Sequence, residues 1–212
     1  VDVSNHESMK KLANEVGKEF QAVDLLINNA GVGLGAFFHD MTIEDMRDLF
    51  EINFWGVVYG CEVFLPLLEN SRNGCIVNIS SVLGLLSGPR LSAYCSSKFA
   101  VRGFSDSLRH DFRIRSKHIK VACAFPSGIK TDILDSSKII VNPDGVSTPQ
   151  IERERARTWF WTEAETAAVD ILDGVKKGKT RIHVGRGSRF LDLLSRFMPV
   201  SCNKFLPKII FE

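Results

Sequence analysis

Short, almost wholly apolar segments alternate with longer amphipathic segments along this chain. The short segments have the length of buried β-strands and lie at residues 24–28, 75–80, 120–125 and 180–184. In the longer segments apolar residues recur at helical spacing, and these lie at residues 9–20, 42–70, 93–115 and 162–177. Apolar strands that alternate with helices are typical of a parallel sheet covered on both faces. The sequence therefore predicts an α/β fold with a doubly wound parallel sheet, formed by one domain over residues 1–212.

Polar side chains mark where three of the helices should begin. Ser4 with Glu7, and Thr162 with Glu165, have the three-residue spacing of a capping box. Thr42 precedes the long second helical segment and is predicted to be its N-cap. We therefore expect helices to start just after each of these serine and threonine residues.

The composition excludes several classes of protein. A net charge of +2 gives no field to attract nucleic acid, and no apolar run reaches the roughly 18 residues of a membrane span. The five histidines show no metal-ligand spacing, so no metal site is predicted. The five cysteines form no Cys-x-x-Cys pair, which indicates free thiols in a reducing compartment. Because no signal peptide opens the chain, we expect a cytoplasmic protein.

One pair of side chains has the spacing of an acid–base catalyst. Tyr94 and Lys98 are four residues apart in a predicted helix, so both leave from one face. An ammonium beside a phenol favours phenolate and lowers a pKa that is ordinarily about 10. Such a phenol can act as a general acid or base near neutral pH. The pair alone would arise by chance in about one chain in eight of this composition, so the interpretation depends on its neighbours.

The neighbours supply a specific pattern. Ser81 lies thirteen residues before Tyr94, the run from Asn28 to Gly31 and then Asn53 lie upstream, and the segment 126–131 lies downstream. This order and spacing resemble the classical short-chain dehydrogenase/reductase family. The resemblance extends from Asp2 to about residue 131 and, more loosely, to about residue 199. It implies a Rossmann-like sheet and an NAD(P)-dependent oxidoreductase.

The resemblance assigns a role to each of four residues. Tyr94 passes a proton to or from the substrate oxygen, and Lys98 lowers the pKa of Tyr94 and binds the nicotinamide ribose. Ser81 donates a hydrogen bond to the substrate oxygen, where charge develops in the transition state. Asn53 holds a water that links Lys98 to the solvent. Ser80 competes with Ser81 for its role, but the spacing to Tyr94 favours Ser81.

The resemblance also implies a binding site for NAD or NADP, without deciding between them. Asp2 and Val3 resemble the end of a strand that meets the adenine, and Ser127 stands where the family has glycine, so Gly128 is expected to supply that backbone freedom. The residues expected to contact the cofactor are Asp2, Val3, Asn29, Ala30, Gly31, Tyr94, Lys98, Pro126, Gly128, Ile129 and Thr131.

A glycine-rich phosphate loop is missing from the expected place. Such a loop follows the first strand of a nucleotide-binding sheet. No such stretch precedes Asn28, and Gly31, Gly33 and Gly35 follow the wrong strand. We therefore expect that about sixty residues of the usual domain, two strand–helix units, are absent and that the sheet is incomplete at its N-terminus.

The expected substrate is a small molecule, a lipophilic alcohol or ketone. Ser81, Leu83 and Tyr94 are expected to contact it, and the long segment 128–161 is interpreted as a substrate or lid loop. The predicted reaction interconverts a secondary alcohol and a ketone. Two alternatives stay open at this point: a 3-oxoacyl-thioester reductase, and a truncated module that cannot hold a dinucleotide.

The C-terminal tail, residues 188–212, combines large apolar residues with positive charge. From Arg181 to Glu212 there are six basic and two acidic residues. A basic amphipathic segment can lie on a membrane surface or pack against another subunit. We expect a homo-oligomer, with peripheral membrane contact as an open alternative.

Overall fold

The computed structural model describes residues 1–141 and 148–202. The helices, α1 to α8, are His6–Glu19, Ile43–Phe50, Gly56–Glu69, Ser92–Arg115, Ile133–Ser136, Pro149–Arg157, Ala164–Lys176 and Ser188–Phe197. The strands, β1 to β8, are Leu25–Asn28, Leu34–Gly35, Cys75–Ile79, Lys120–Pro126, Ile129–Lys130, Lys138–Ile139, Thr162–Glu163 and Arg181–Val184.

The main sheet is parallel, as predicted. Its four strands have the order β1-β3-β4-β8, and every neighbouring pair is parallel. Two small parallel pairs, β2 with β6 and β5 with β7, lie outside it. The α/β prediction is confirmed, because each sheet strand is followed by at least one helix before the next.

The two faces of the sheet are covered by different helices. Ile76 and Val121 point into a core shared with α1, α3 and α4. Val77 and Ala122, their neighbours along the same strands, point into a second core shared with α7. This alternation follows from the two-residue period of a strand and explains why both strands are apolar throughout.

Strand β1 is less buried than its sequence predicted. Its four residues are only partly covered, and Ile27 is 38% exposed. In the described part of the chain β1 pairs with β3 alone, which places it at the edge of the sheet. A strand at an edge is covered by neighbours on one side only, so an apolar sequence does not guarantee burial.

Two of the three predicted helix starts are wrong. Asn5, not Ser4, caps α1 by accepting a hydrogen bond from the Ser8 amide at 2.9 Å. Ser4 instead bonds the carboxylate of Asp2. Thr162 lies in β7, where pairing with β5 determines its backbone conformation, and α7 starts two residues later.

Thr42 caps its helix as predicted, in a capping box with Asp45. The helical stretch that follows is continuous to Glu69 but contains a π-helical turn at Glu51–Trp55. A π turn inserts one extra residue into a helix and often marks a functional position. Here it contains Asn53.

The segment 128–161 has more regular structure than a simple loop. Its described part contains β5, α5, β6 and α6, and α6 is capped by Thr148 with Pro149 in its first turn. The part of the tail that the structure describes forms α8 and a further helical stretch at residues 199–202, while residues 203–212 lie outside the described residues. Among the described residues, no helix is long and apolar enough to cross a membrane.

Candidate active site

Three parallel strands bring the predicted site residues to one edge of the sheet, the one formed by the carboxyl ends of the strands. The register aligns Asn28 of β1 with Asn78 of β3, and Ile79 of β3 with Ala124 of β4. Residues 29–31, 80–81 and 126–128 therefore all leave the sheet at the carboxyl ends of its strands. This edge is where open α/β sheets bind ligands.

The side chains of Ser81 and Tyr94 meet at this edge. Tyr94 lies in the first turn of α4, and a hydrogen bond links its phenol to the Ser81 hydroxyl. The Ser81 oxygen also accepts a hydrogen bond from the Leu83 amide at 3.1 Å, which caps the short 3-10 turn Val82–Gly84. The two hydroxyl groups can therefore approach a single substrate oxygen together.

Ser80 has a different environment from its neighbour. Its hydroxyl is buried and donates to the backbone carbonyl of Lys98 at 2.8 Å. A Cβ added at Gly84 would lie 2.3 Å from the Ser80 hydroxyl oxygen, so this oxygen is tightly packed. The geometry supports Ser81, rather than Ser80, as the partner of Tyr94.

Lys98 is buried one turn after Tyr94. Its side chain donates to the carbonyl of Ile79 at 3.2 Å, and its Nζ lies 5.8 Å from the centre of the Tyr94 ring. A Cβ added at Gly31 would lie 3.3 Å from the Lys98 Nζ and 3.2 Å from the Asn53 Oδ1. Glycine at position 31 therefore permits the β1 turn to approach both side chains.

Asn53 fixes the turn after β1 to the helices. Its side chain accepts a hydrogen bond from the Val32 amide at 2.8 Å and donates to the Val32 carbonyl at 2.9 Å. It also donates to the hydroxyl of Ser97 at 3.2 Å, and it is fully buried. The structure thus brings together Asn53, Lys98 and the turn that carries Gly31.

The prediction that the pKa of Tyr94 is lowered is wrong. Burial raises the pKa of Tyr94 to about 12, and the hydrogen bond from Ser81 only partly opposes this increase. Burial also lowers the pKa of Lys98 to about 8. Both changes have one cause, since a site shielded from water disfavours the charged form of either group. Tyr94 is therefore a neutral phenol at pH 7, able to donate a proton.

The segment after β4 depends on Gly128. Its φ is +52°, and a Cβ there would lie only 1.9 Å from the Trp159 carbonyl oxygen. The Gly128 carbonyl accepts hydrogen bonds from the amides of Trp161 at 2.9 Å and Thr162 at 3.1 Å. Gly128 thus supplies the backbone freedom that Ser127 cannot, as expected, and it connects this segment to the end of the lid region.

The other residues expected to contact a cofactor or substrate lie in several environments. Asp2 is exposed and bonds Ser4, while Val3 packs against Gly56. Ile129 lies in β5, and the Thr131 hydroxyl accepts from the Ile133 amide at 3.4 Å. Most of the residues predicted to contact cofactor or substrate lie together at the carboxyl ends of the strands. They are Asn29, Ala30, Gly31, Ser81, Leu83, Tyr94, Lys98, Pro126 and Gly128.

Gly31, Gly33 and Gly35 do not have the arrangement of a phosphate loop. Gly33 packs against Ser137, where a Cβ would lie 2.1 Å from the hydroxyl oxygen, and Gly35 pairs with Ile139 in the β2–β6 ladder. These glycines therefore permit close packing of strands and loops. They do not form the start of a helix, where phosphate groups bind.

Sequence reasoning missed the part played by Arg90. Its φ is +63°, the one positive value among the described non-glycine residues. Its guanidinium lies 5.2 Å from the centre of the Phe37 ring and pairs with Glu152 of α6 at 2.8 Å. Arg90 thereby joins the segment before Tyr94 to the lid region. No sequence signal marks it, because an arginine in a loop is ordinarily solvated.

Two asparagines inside the sheet were also missed. The Asn28 side chain donates to the Asn78 Oδ1 at 2.8 Å, and the Asn78 side chain donates to the Ser105 hydroxyl at 3.0 Å. Asn78 and Ser105 are fully buried, so these bonds satisfy groups that would otherwise destabilise the core. A polar residue within an otherwise apolar strand was the available signal.

Comparison with known proteins places the chain in a family. The model of the short chain dehydrogenase family matches residues 1–139. The oxidoreductase SadH of Mycobacterium tuberculosis is 34% identical over 206 residues, which cover 97% of this chain and 74% of SadH. The 3-ketodihydrosphingosine reductase of Bacteroides thetaiotaomicron is 37% identical over 139 residues, which cover 66% of this chain and 51% of that enzyme.

A solved structure shows the same architecture. A short-chain dehydrogenase/reductase from Burkholderia phymatum, solved in complex with NAD, superposes with a TM-score of 0.83 at 27% identity. The superposition covers 95% of this chain and 75% of the other. Together with the match over residues 1–139, these similarities show that the chain belongs to the short-chain dehydrogenase/reductase family of NAD(P)-dependent oxidoreductases.

Proposed function

We propose that this protein interconverts a secondary alcohol and a ketone on a lipophilic substrate. The observation that carries the proposal is the hydrogen bond between Ser81 and Tyr94, with Lys98 buried on the next turn of the same helix. Two neighbouring hydroxyl groups with a lysine side chain close by can together bind one substrate oxygen and transfer a proton to or from it.

Each of the site residues has a separate proposed role in the reaction at the substrate oxygen. In the direction of reduction, the neutral Tyr94 phenol donates its proton to the carbonyl oxygen, and Ser81 donates a hydrogen bond to the same oxygen. Lys98 stabilises the phenolate that remains, because an opposite charge offsets part of the penalty of burying an anion. Asn53 is proposed to hold the turn at Gly31 and a water that connects Lys98 to solvent.

The proposed cofactor is NAD or NADP, which supplies or accepts the hydride when bound. The turn at Asn29, Ala30 and Gly31 fits this role, since Gly31 leaves the space beside Lys98 and Asn53 clear of a side chain. Gly128 and its neighbours are proposed to contact the other end of the nicotinamide. The NAD complex of the Burkholderia phymatum relative supports this assignment.

Apolar side chains around the site support a lipophilic substrate. Phe37 is 49% exposed and Phe38 is 65% exposed; both follow β2, and the Phe37 ring lies 5.2 Å from the Arg90 guanidinium. Leu83 lies two residues after Ser81, in the 3-10 turn that Ser81 caps. The name of the 3-ketodihydrosphingosine reductase relative points the same way, because its substrate is a long-chain ketone. The homo-oligomer and the cytoplasmic location remain proposals that light scattering and cell fractionation would test.

Alanine substitution of the adjacent residues Ser80 and Ser81 tests the proposed site. Full-length protein, the complete product of the gene, would be assayed with reduced nicotinamide cofactors and long-chain ketones. Ser81→Ala should lower kcat by roughly 10²-fold, the scale for removing one donor to a developing oxyanion. Ser80→Ala is the matched control and should change kcat only a few-fold, because Ser80 bonds the backbone of Lys98. Equal losses in both variants would argue against the proposed site.

The same assay separates the alternatives. Preference for short 3-oxoacyl thioesters over long-chain ketones would favour a thioester reductase. Absence of turnover with every ketone and thioester, for a protein that binds the cofactor, would favour a module without catalytic activity.

A further inference from the structure

Helix α8 buries polar side chains and exposes apolar ones. Its two buried side chains are polar, since Ser188 is fully buried and Asp192 is 2% exposed, while Leu191 and Leu194 are half-buried. Large apolar side chains lie on the outer face, where Phe190 is 65%, Leu193 is 44% and Phe197 is 82% exposed. A helix ordinarily docks through its apolar stripe, so this outer face is available for another contact.

Polar bonds hold the inner face in place without help from the outer one. Asp192 pairs with Arg181 at 2.8 Å, with His183 at 2.8 Å and with Arg196 at 2.7 Å. The Ser188 hydroxyl donates to the Phe125 carbonyl at 2.6 Å. The phenylalanines on the outer face are therefore not needed to attach α8 to its own domain.

The exposed charged side chains around the phenylalanines are positive. Arg186, Arg189 and Arg196 are exposed on or beside α8. Asp192 is the only acid between residues 186 and 202, and its buried carboxylate is already paired. The ten residues after Cys202 add two lysines, five large apolar residues and one glutamate. The apolar and basic character thus continues beyond the described residues.

We propose that the outer face of α8 is a docking surface for an anionic lipid bilayer. Phenylalanine and leucine side chains would enter the boundary between headgroups and acyl chains, while Arg186 and Arg189 meet lipid phosphates. A second copy of this chain fits less well, since a two-fold contact through this face would set arginines against arginines. The proposal does not depend on the reaction proposed above.

Helix α8 begins close to the candidate active site. Ser188 bonds Phe125 of β4, and β8 ends beside the segment 126–128, so α8 starts at the same edge of the sheet as Ser81. If the proposed function holds, docking would bring the candidate site to a surface in which lipophilic substrates dissolve. The test below measures binding alone and so separates this surface from the reaction.

Flotation with liposomes tests the proposal. Full-length protein should float with vesicles of phosphatidylcholine and phosphatidylglycerol, and not with phosphatidylcholine alone. Added salt should weaken the association, since it screens the arginines. Replacing both Phe190 and Phe197 by glutamate should lower the partition coefficient at least about tenfold, and Arg189→Ala should lower it about fivefold.

A matched variant controls for nonspecific effects. Ile114 is 77% exposed on α4, and Ile114→Glu should float as the wild type does. Circular dichroism would establish that the variants fold, as expected for exposed positions. Flotation that is absent in the wild type, or unchanged in the double variant, would overturn the proposal. A wild-type dimer that the double variant converts to monomer would also overturn it, in favour of a second copy.

Discussion

Replacing Lys98 by methionine should stabilise the fold at neutral pH while it removes activity. Lys98 is 3% exposed, and burial lowers its pKa from 10.5 to about 8. Each pKa unit corresponds to about 1.4 kcal/mol, so holding the ammonium in the folded protein at pH 7 costs about 3 kcal/mol. Methionine has a similar length and carries no charge, so this penalty disappears.

The sign follows from proton binding in the two states. Between about pH 8 and 10.5 the unfolded lysine is protonated and the folded one is not, so the unfolded state holds more protons. The wild-type free energy of unfolding therefore gains about 3 kcal/mol from this residue as the pH rises through that window. Methionine also loses the hydrogen bond to the Ile79 carbonyl, which costs about 1 kcal/mol or more at every pH.

Urea unfolding at several pH values from 7 to about 10.5 would measure the effect. The stability difference between Lys98→Met and wild type should decline by about 3 kcal/mol across this range. Other groups titrate in both proteins and cancel in the difference. Lys18→Met, at an exposed position of α1, is the matched control and should give a flat difference. A flat or rising difference for Lys98→Met would refute the claim that burial controls this charge.

Two further predictions concern glycines. Gly128→Ala should destabilise the protein by more than Gly178→Ala, because both have positive φ but only at position 128 would the added Cβ lie 1.9 Å from a carbonyl oxygen, that of Trp159. Urea midpoints should show a loss of about 1 kcal/mol for Gly178→Ala and clearly more for Gly128→Ala; equal losses would contradict the packing described. Calorimetry of residues 1–212 with NAD and NADP should show no binding tighter than about millimolar, since the glycines at 31–35 pack against Asn53, Ser137 and Ile139 rather than forming a phosphate site. Micromolar affinity would contradict that interpretation.

Much of the fold could be predicted because its signals are local. The apolar runs gave β3, β4 and β8 to within one residue, and helical spacing gave α4 and the stretch from Thr42 to Glu69. The spacing between Ser81, Tyr94 and Lys98 likewise brought three side chains to one place, because helix geometry and strand register are regular. Their catalytic roles remain predictions.

The wrong predictions concern features that depend on contacts between residues distant in the sequence. Thr162 has the sequence of a helix cap, but its backbone pairs with Gly128, thirty-four residues earlier in the chain. The pKa of Tyr94 is raised rather than lowered, because burial of the phenol outweighs the hydrogen bond from Ser81, and sequence spacing does not report burial. The inverted orientation of α8 depends on partners for Asp192 that lie on β8 and could not be assigned from helical periodicity.

The most direct test of the central claim is the turnover of Tyr94→Phe beside Tyr59→Phe. These are the two tyrosines of the chain, and Tyr59 stacks on His6 and Trp55, away from Ser81. In full-length protein, Tyr94→Phe should lower kcat for a ketone substrate by at least about 10²-fold, since it removes the proton donor and keeps the ring. Tyr59→Phe should retain nearly wild-type turnover, and both variants should bind the cofactor as the wild type does. Wild-type turnover by Tyr94→Phe would contradict the account, because the proton would then have to come from a group other than Tyr94.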